Sequence, residues 1–225
     1  MNDQFLTNTM SNLSHSKNLL IVFVKNSILG KVKTRLAKTI GDEAAFQIYN
    51  ELVAITERET QKVNADQYIY FSDMIVDSKW KDDQKFVQEG ADLGIRMQNA
   101  FLNGFAQGYE KIIVIGSDLP DISKEVIEAG FDQLNANEIV FGPADDGGYY
   151  LLGMSEMTHS IFENKPWSQS TLLNLTLQEL SEQQKSVELL PTLNDIDTFE
   201  DLIASDFYQT NKRVQKIVQQ LTLDK

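Results

Sequence analysis

The sequence predicts one α/β domain, a three-layer sandwich built on a mostly parallel sheet. Three observations carry that expectation. Short apolar, β-branched runs such as Ile112-Ile-Val-Ile115 and Leu19-Leu-Ile-Val-Phe-Val24 stop at turn residues, as strands buried on both faces do. Segments with apolar residues at helical spacing alternate with those runs. No repeat, low-complexity tract or linker divides the 225 residues, a length that suits one domain with an ample core.

Composition narrows the function. Hydrophobic residues make up 42% and charged residues 24%, as in an ordinary globular protein. A formal net charge of −13 argues against a broad nucleic-acid footprint. The absence of Cys excludes disulfides and thiolate metal sites and suits a reducing compartment. The amino terminus lacks a basic and apolar leader, and no apolar run reaches the length of a membrane span. The expectation is a cytoplasmic protein with a loose arm over residues 1–17, which includes a lone His15, and one domain over residues 18–225.

In chain order, Leu19–Val24 is the first strand and leads into a basic loop. Five of the 20 basic residues (Lys25, Lys31, Lys33, Arg35, Lys38) fall between 25 and 38 with no acid among them. A loop leaving a strand and entering a helix offers free backbone N–H groups, Gly30 permits close approach, and Lys33 and Arg35 add charge-assisted bonds. This is not a P-loop, because Lys25 and Val32 stand where Gly and Ser or Thr would be needed. The competing reading is a solvated basic helix face, with Val32, Leu36 and Ile40 inward and Lys31 and Lys38 outward.

Residues 42–62 predict an amphipathic helix with Ala44, Ile48, Leu52 and Ile55 inward, followed by a strand at Gln67–Phe71. Trp80 lies in a charged loop, as packing or as a lid, before a short strand at Lys85–Gln88. Asp92 reads as the N-cap of a helix whose stripe is Leu93, Met97, Ala100, Phe101 and Phe105. Arg96 borders that stripe, as an ion-paired structural residue or a ligand contact.

The central strand, Ile112–Ile115, ends at Gly116-Ser-Asp118. Ligands of parallel sheets bind beyond the carboxyl ends of strands, so Asp118 is a cation ligand or a helix cap. A helix over 122–137 and a strand at Glu138–Gly142 lead to Asp145-Asp146-Gly147-Gly148, which reads as a tight turn or as bare backbone for a substrate facing a carboxylate. Tyr149–Gly153 resumes extended structure, and His159 has no partner at ligand spacing. Trp167, just before the next helix, is a hydrophobic staple or the wall of an acceptor pocket. After a last strand at Ser186–Leu190, Asp195 and Asp197 alternate and so point the same way in extended chain, Thr198 and Asp201 form a capping-box pattern, and residues 206–223 predict one closing helix with Phe207, Val214, Ile217, Val218 and Leu221 inward.

If the basic loop, Asp118 and the acidic 195–197 segment meet at one rim, two carboxylates can hold Mg²⁺ or Mn²⁺ against phosphates. That arrangement lets an acidic protein bind a polyphosphate.

Five motifs together resemble a known bacterial family: residues 25–36, 88–97, 115–120, 142–153 and 195–202. They are similar to glycosyltransferase-A-like proteins associated with radical-SAM, selenodomain or arsenosugar pathways, over about Asn18 to Leu202. Asn26 or Ser27, and Phe199, stand where the family commonly has Pro. The resemblance implies a nucleotide-diphospho-sugar transferase fold, shared with the guanylyltransferases of molybdenum-cofactor and deazaflavin-cofactor synthesis. It implies metal ligation by Asp118 and Asp197 with Asp195 assisting, phosphate contacts from Gly30, Lys33 and Arg35, and Asp146, Gly147 and Gly148 on the acceptor or sugar side; Lys25 and Thr34 of the same loop are further expected substrate contacts. Asp146 is the candidate base, and Arg96 and Trp167 complete the expected substrate contacts. Glycosyl transfer from a nucleotide-sugar to a small acceptor leads, ahead of nucleotidyl transfer to a phosphorylated small molecule and of a non-catalytic nucleotide-binding protein.

Overall fold

The computed structural model describes residues 16–223, with side chains to residue 219. The expected arm therefore lies, up to His15, outside the described residues, as does the side chain of Leu221. Among the described residues seven strands form one sheet: β1 (Asn18–Val24), β2 (Asp66–Phe71), β3 (Gln84–Val87), β4 (Lys111–Ile115), β5 (Ile139–Pro143), β6 (Tyr149–Met154) and β7 (Val187–Leu189). Their spatial order is β3-β2-β1-β4-β6-β5-β7. Only β6 runs against its neighbours β4 and β5, so the sheet is mostly parallel.

β1 and β4 are adjacent, with Val22 opposite Ile115, although β2 and β3 intervene in sequence. The chain runs outward from β1 in one direction and returns on its other side at β4. This is the reversal of strand order at which open α/β sheets leave a crevice. The carboxyl ends of β1, β4 and β5 and the amino end of β6 all open on that rim.

Helices cover both faces. On one face α2 (Asp42–Thr60) and α4 (Lys124–Gln133) contribute Tyr49, Val53, Ile127 and Phe131 to the core. On the other, α3 (Leu93–Ala106) and α5 (Leu172–Glu182) contribute Met97, Ala100, Phe101, Leu173 and Leu180. The outer side of α2 buries a further cluster against α1 (Thr34–Ile40) and the carboxyl-terminal helices α6 (Phe199–Ala204), α7 (Asp206–Thr210) and α8 (Lys212–Leu223). Leu36, Ile48, Leu52, Leu202, Phe207, Val214 and Ile217 form it, so α2 is sandwiched between sheet and helices. No helix among the described residues is long and apolar enough to cross a membrane.

The structure differs from the sequence expectations at the closing helix and at Leu93, and decides between two readings at Trp80. The single closing helix is two, because Asn211 leaves helical geometry and its Oδ1 accepts from the backbone of Arg213 and Val214 as a new cap. Trp80 is fully buried, its backbone held by Glu57 and its indole donating to Thr60 Oγ1 at 2.9 Å, so it is packing and not a lid. Leu93 opens α3 with 48% of its surface exposed, outside the core its spacing suggested. Asp92 caps α3 by accepting from Ile95, and Thr198 with Asp201 closes the full capping box of α6.

Candidate active site

The site is assembled from three loops of the rim. After β1 the chain turns through Lys31, whose N–H donates to the Ile28 carbonyl at 3.0 Å, and reaches Lys33 in a left-handed conformation, φ 46° and ψ 47°. A non-glycine residue held there costs about 1–2 kcal/mol, and the surrounding structure must impose it. What holds Lys33 is its side chain. Its ammonium, 4% exposed, donates to Asp118 Oδ2 at 2.9 Å and to Asp197 Oδ1 at 3.0 Å. Burial works against the charge, but the two carboxylates outweigh it and raise the lysine's pKa above its ordinary value. Arg35 Nη1 donates to the other oxygen of Asp197 at 3.3 Å from a largely exposed position. Carboxylates 79 residues apart, at the end of β4 and before α6, thus share one cation.

Each partner is fixed from behind. Asp201 accepts from the backbone of Asp197 and Thr198, at 3.2 and 2.7 Å, and so sets the turn that presents Asp197. The buried Tyr49 hydroxyl donates to the Lys25 carbonyl at 2.8 Å and lies 3.2 Å from Ser117 Oγ, joining the exits of β1 and β4. Burial, the main cause, pushes that phenol up to about 12. The helical spacing of α2 identifies its buried face but not this hydroxyl, and no local signal marks it.

Beside the carboxylates lies a cavity of about 270 Å³ lined by Asp118, Asp146, Asp195 and Gly148 at its polar end. Asp146 Oδ1 accepts from the Gly148 backbone at 2.8 Å within the hairpin turn joining β5 and β6, so the turn and a cavity-facing carboxylate coexist. Gly147 donates to the Ala144 carbonyl and accepts from the Leu173 backbone, both at 3.1 Å. Trp167 forms a wall of the cavity and packs on Gly94, where a Cβ would fall 2.4 Å from its ring. The segment carrying it is anchored by an ion pair of the buried Lys165 with Glu179.

Not every expected residue joins this constellation. Arg96 donates through Nε to the Gly90 carbonyl at 3.1 Å and is not among the cavity-lining residues. Lys25, Gly30 and Thr34 sit in or beside the β1 loop, Lys25 and Thr34 with exposed side chains. Helix α1 has only seven residues, so any charge held there depends chiefly on side chains and little on the helix dipole.

A profile of uncharacterised proteins conserved in bacteria, DUF2064, matches residues 54–169, just over half of the sequence. The chain belongs to the DUF2064 family. A solved structure of a candidate nucleotide-diphospho-sugar transferase from Desulfovibrio desulfuricans G20 is similar at 29% identity and a TM-score of 0.83, covering 92% of this chain and 98% of that one. An inositol-1-phosphate CTP transferase from T. maritima is similar at 16% identity and a TM-score of 0.52, over 90% of this chain and 95% of that one. A cytidylyltransferase from Leptospira borgpetersenii is similar at 14% identity and a TM-score of 0.52, over 93% and 95%. The latter two show a shared fold alone. No curated protein sequence matches significantly. The fold of this DUF2064 chain is that of the nucleotide-diphospho-sugar transferases, as the motifs implied.

Two polar details of this DUF2064 site escaped sequence reasoning. The Tyr149 hydroxyl is buried without a hydrogen-bond partner among the described residues, and burial raises its pKa. Tyr149→Phe removes a donor that makes no bond, so the melting temperature should stay level or rise by the equivalent of about 1 kcal/mol; a clear fall in a thermal melt would show that the hydroxyl is satisfied. Asp195 is raised to about 6, first by burial and then by the neighbouring Asp197, Asp118 and Asp146 carboxylates, against the pull of Lys33. Its folded state holds the proton more tightly than the unfolded chain, so its contribution to stability is lost as pH climbs from about 4 to about 6. In chelator, Asp195→Asn should therefore melt higher than the parent at pH 7.5, by about 1 to 2 kcal/mol, and the difference should vanish near pH 4.

Proposed function

We propose that this chain is a divalent-metal-dependent transferase that moves a sugar from a nucleotide-sugar to a small acceptor. One observation carries the reading. Asp118 and Asp197 lie within 3.0 Å of a single ammonium nitrogen, at the β1–β4 crevice and beside a cavity. Among the described residues there is no group of three or more acidic or histidine side chains able to hold a metal ion by itself. Two carboxylates converging on one cation nevertheless fit Mg²⁺ or Mn²⁺, hard ions that take one or two carboxylates and complete their shell with substrate phosphates and water. Asp118 and Asp197 would hold the ion, with Asp195 assisting, and when bound it would neutralise charge on the departing diphosphate.

The remaining roles fall to the chain's own groups. Arg35 and the exposed Lys25 and Lys31 would bind phosphate oxygens around Gly30 and Thr34, and Lys33 would hold the two carboxylates in register. The acceptor hydroxyl oxygen bonds to the anomeric carbon of the sugar. The carbon–oxygen bond to the diphosphate breaks, the nucleoside diphosphate leaves with the electron pair, and Asp146 takes the hydroxyl proton. Nucleotidyl transfer is the second reading, favoured by the exposed cations of the β1 loop, which suit a triphosphate.

The two readings differ in product. The purified chain with Mg²⁺ is offered nucleotide-sugars and nucleoside triphosphates, first in a thermal-shift panel and then with acceptors. A nucleotide-sugar should raise the melting temperature only with Mg²⁺, and turnover should release a nucleoside diphosphate. Pyrophosphate release would replace the first reading by the second, and no Mg²⁺-dependent shift with any nucleotide would remove both. A ligand at 100 times its Kd adds about 2.7 kcal/mol, well within detection.

A further inference from the structure

The cavity beside the carboxylates is one-sided in its chemistry. Its body is built from Phe23, Met97, Leu152 and Leu172, closed by Trp167 and by Leu93, whose side chain stands 48% exposed at the start of α3. Its charged lining residues are Asp118, Asp146 and Asp195, close enough to interact with one another; Ser168 and Gln169 also line it, and among the described residues no Lys, Arg or His does. An exposed leucine at the edge of an apolar cavity loses water contact only when something apolar fills the space. A phosphate placed in the apolar body would be desolvated there, and the cation at the carboxylate end, Lys33, is already paired with Asp118 and Asp197. A sugar lodged in the apolar body would leave most of its hydroxyls unpaired.

We propose that this cavity is an acceptor subsite for an uncharged molecule with a predominantly apolar body, its single nucleophilic hydroxyl lying at the carboxylate end. The inference rests on the transferase reading above and sharpens it, because it disfavours a phosphorylated acceptor. The Trp167 indole packs closely against Gly94, where a side chain would collide with it, and lines the cavity.

The test uses the whole chain in EDTA and follows tryptophan fluorescence. The sequence has two tryptophans, and Trp80 is fully buried away from this cavity, so a ligand-dependent change reports Trp167. Benzyl alcohol should give a saturable change that is absent from Trp167→Phe, whereas glycerol should give none and benzyl phosphate should bind more weakly than benzyl alcohol. Leu93→Asn, at an exposed position that leaves the fold standing, should raise the half-saturation concentration about ten-fold. A linear response to benzyl alcohol, equal or tighter binding of glycerol or benzyl phosphate, or no effect of Leu93→Asn would overturn the proposal. Nucleotide-sugar binding, read separately by Mg²⁺-dependent thermal shift, should be unchanged in Leu93→Asn. Saturable benzyl alcohol binding without any nucleotide shift would leave the subsite standing and remove the transferase reading, so the two failures are told apart.

Discussion

Asp118→Asn should abolish the Mg²⁺-dependent part of nucleotide binding and cut turnover by about 10²- to 10³-fold, while leaving the protein folded. The split follows from where the carboxylate sits. Its side chain is 43% exposed, and in the variant the Lys33 ammonium keeps Asp197 at 3.0 Å, so losing one half-exposed pair should cost no more than about 1 kcal/mol. The functional loss is larger because a hard cation prefers ionised oxygen donors, and the amide supplies no charge. Lys33→Met reverses the pattern. It removes a cation whose side chain is 4% exposed and leaves two carboxylates facing one another. Breaking a buried pair costs about 3–5 kcal/mol, but both carboxylates are substantially exposed, which brings the expectation to about 2 kcal/mol and a melting temperature lower by about 4–8 °C. Thermal melts in EDTA and in Mg²⁺ with a nucleotide-sugar measure both. If Asp118→Asn kept its full Mg²⁺-dependent shift, Asp118 would have no part in holding a metal.

The strands were readable because their information is local. A β-branched run such as Ile112–Ile115, bounded by Gly116 and Asp118, is too short for a helix and too apolar for a surface, and it lies where expected in the middle of the sheet. Helical faces were readable for the same reason, with Leu36 and Ile40 of α1 buried, although Val32, expected on the same stripe, is buried in the loop before that helix begins. Contacts between distant segments leave no such trace. That Asp118 and Asp197 could meet was a conjecture from their places beside strand and helix ends, sharpened by the resemblance of five motifs, because no periodicity links positions 79 apart. Periodicity also says which residues share a face but not what the face meets. Leu93 shares the stripe of α3 yet borders a cavity, since the helix begins beyond the edge of the core. Lys33 read as a cation for phosphate, whereas its left-handed backbone carries the ammonium into two carboxylates, an outcome that depends on the fold of three loops at once. The break at Asn211 is the converse case: an amide that could sit in a helix or cap one, decided by packing of α7 and α8 against α2.

Gly147→Ala should be the most damaging single-methyl change near the site. Gly147 has φ +87°, and a Cβ there would stand 2.0 Å from the Ser170 carbonyl oxygen and 2.6 Å from its carbon, backbone atoms that cannot rotate away. Left-handed strain alone costs about 1–2 kcal/mol, and forcing the β5–β6 turn away from the 163–171 segment adds enough to bring the total above about 3 kcal/mol, a fall of about 6–12 °C in melting temperature. The same movement stretches the 3.1 Å bond from the Leu173 backbone to the Gly147 carbonyl and displaces the segment that carries Trp167. The variant should therefore lose the Trp167 response to benzyl alcohol as well as stability. Gly108→Ala separates strain from collision. Gly108 has φ +90°, yet among the described residues nothing lies within 4 Å of the position its Cβ would take, so only the backbone term of about 1–2 kcal/mol applies and the cavity is untouched. Equal losses in the two variants would mean that backbone strain, and not the contact with Ser170, keeps glycine at 147.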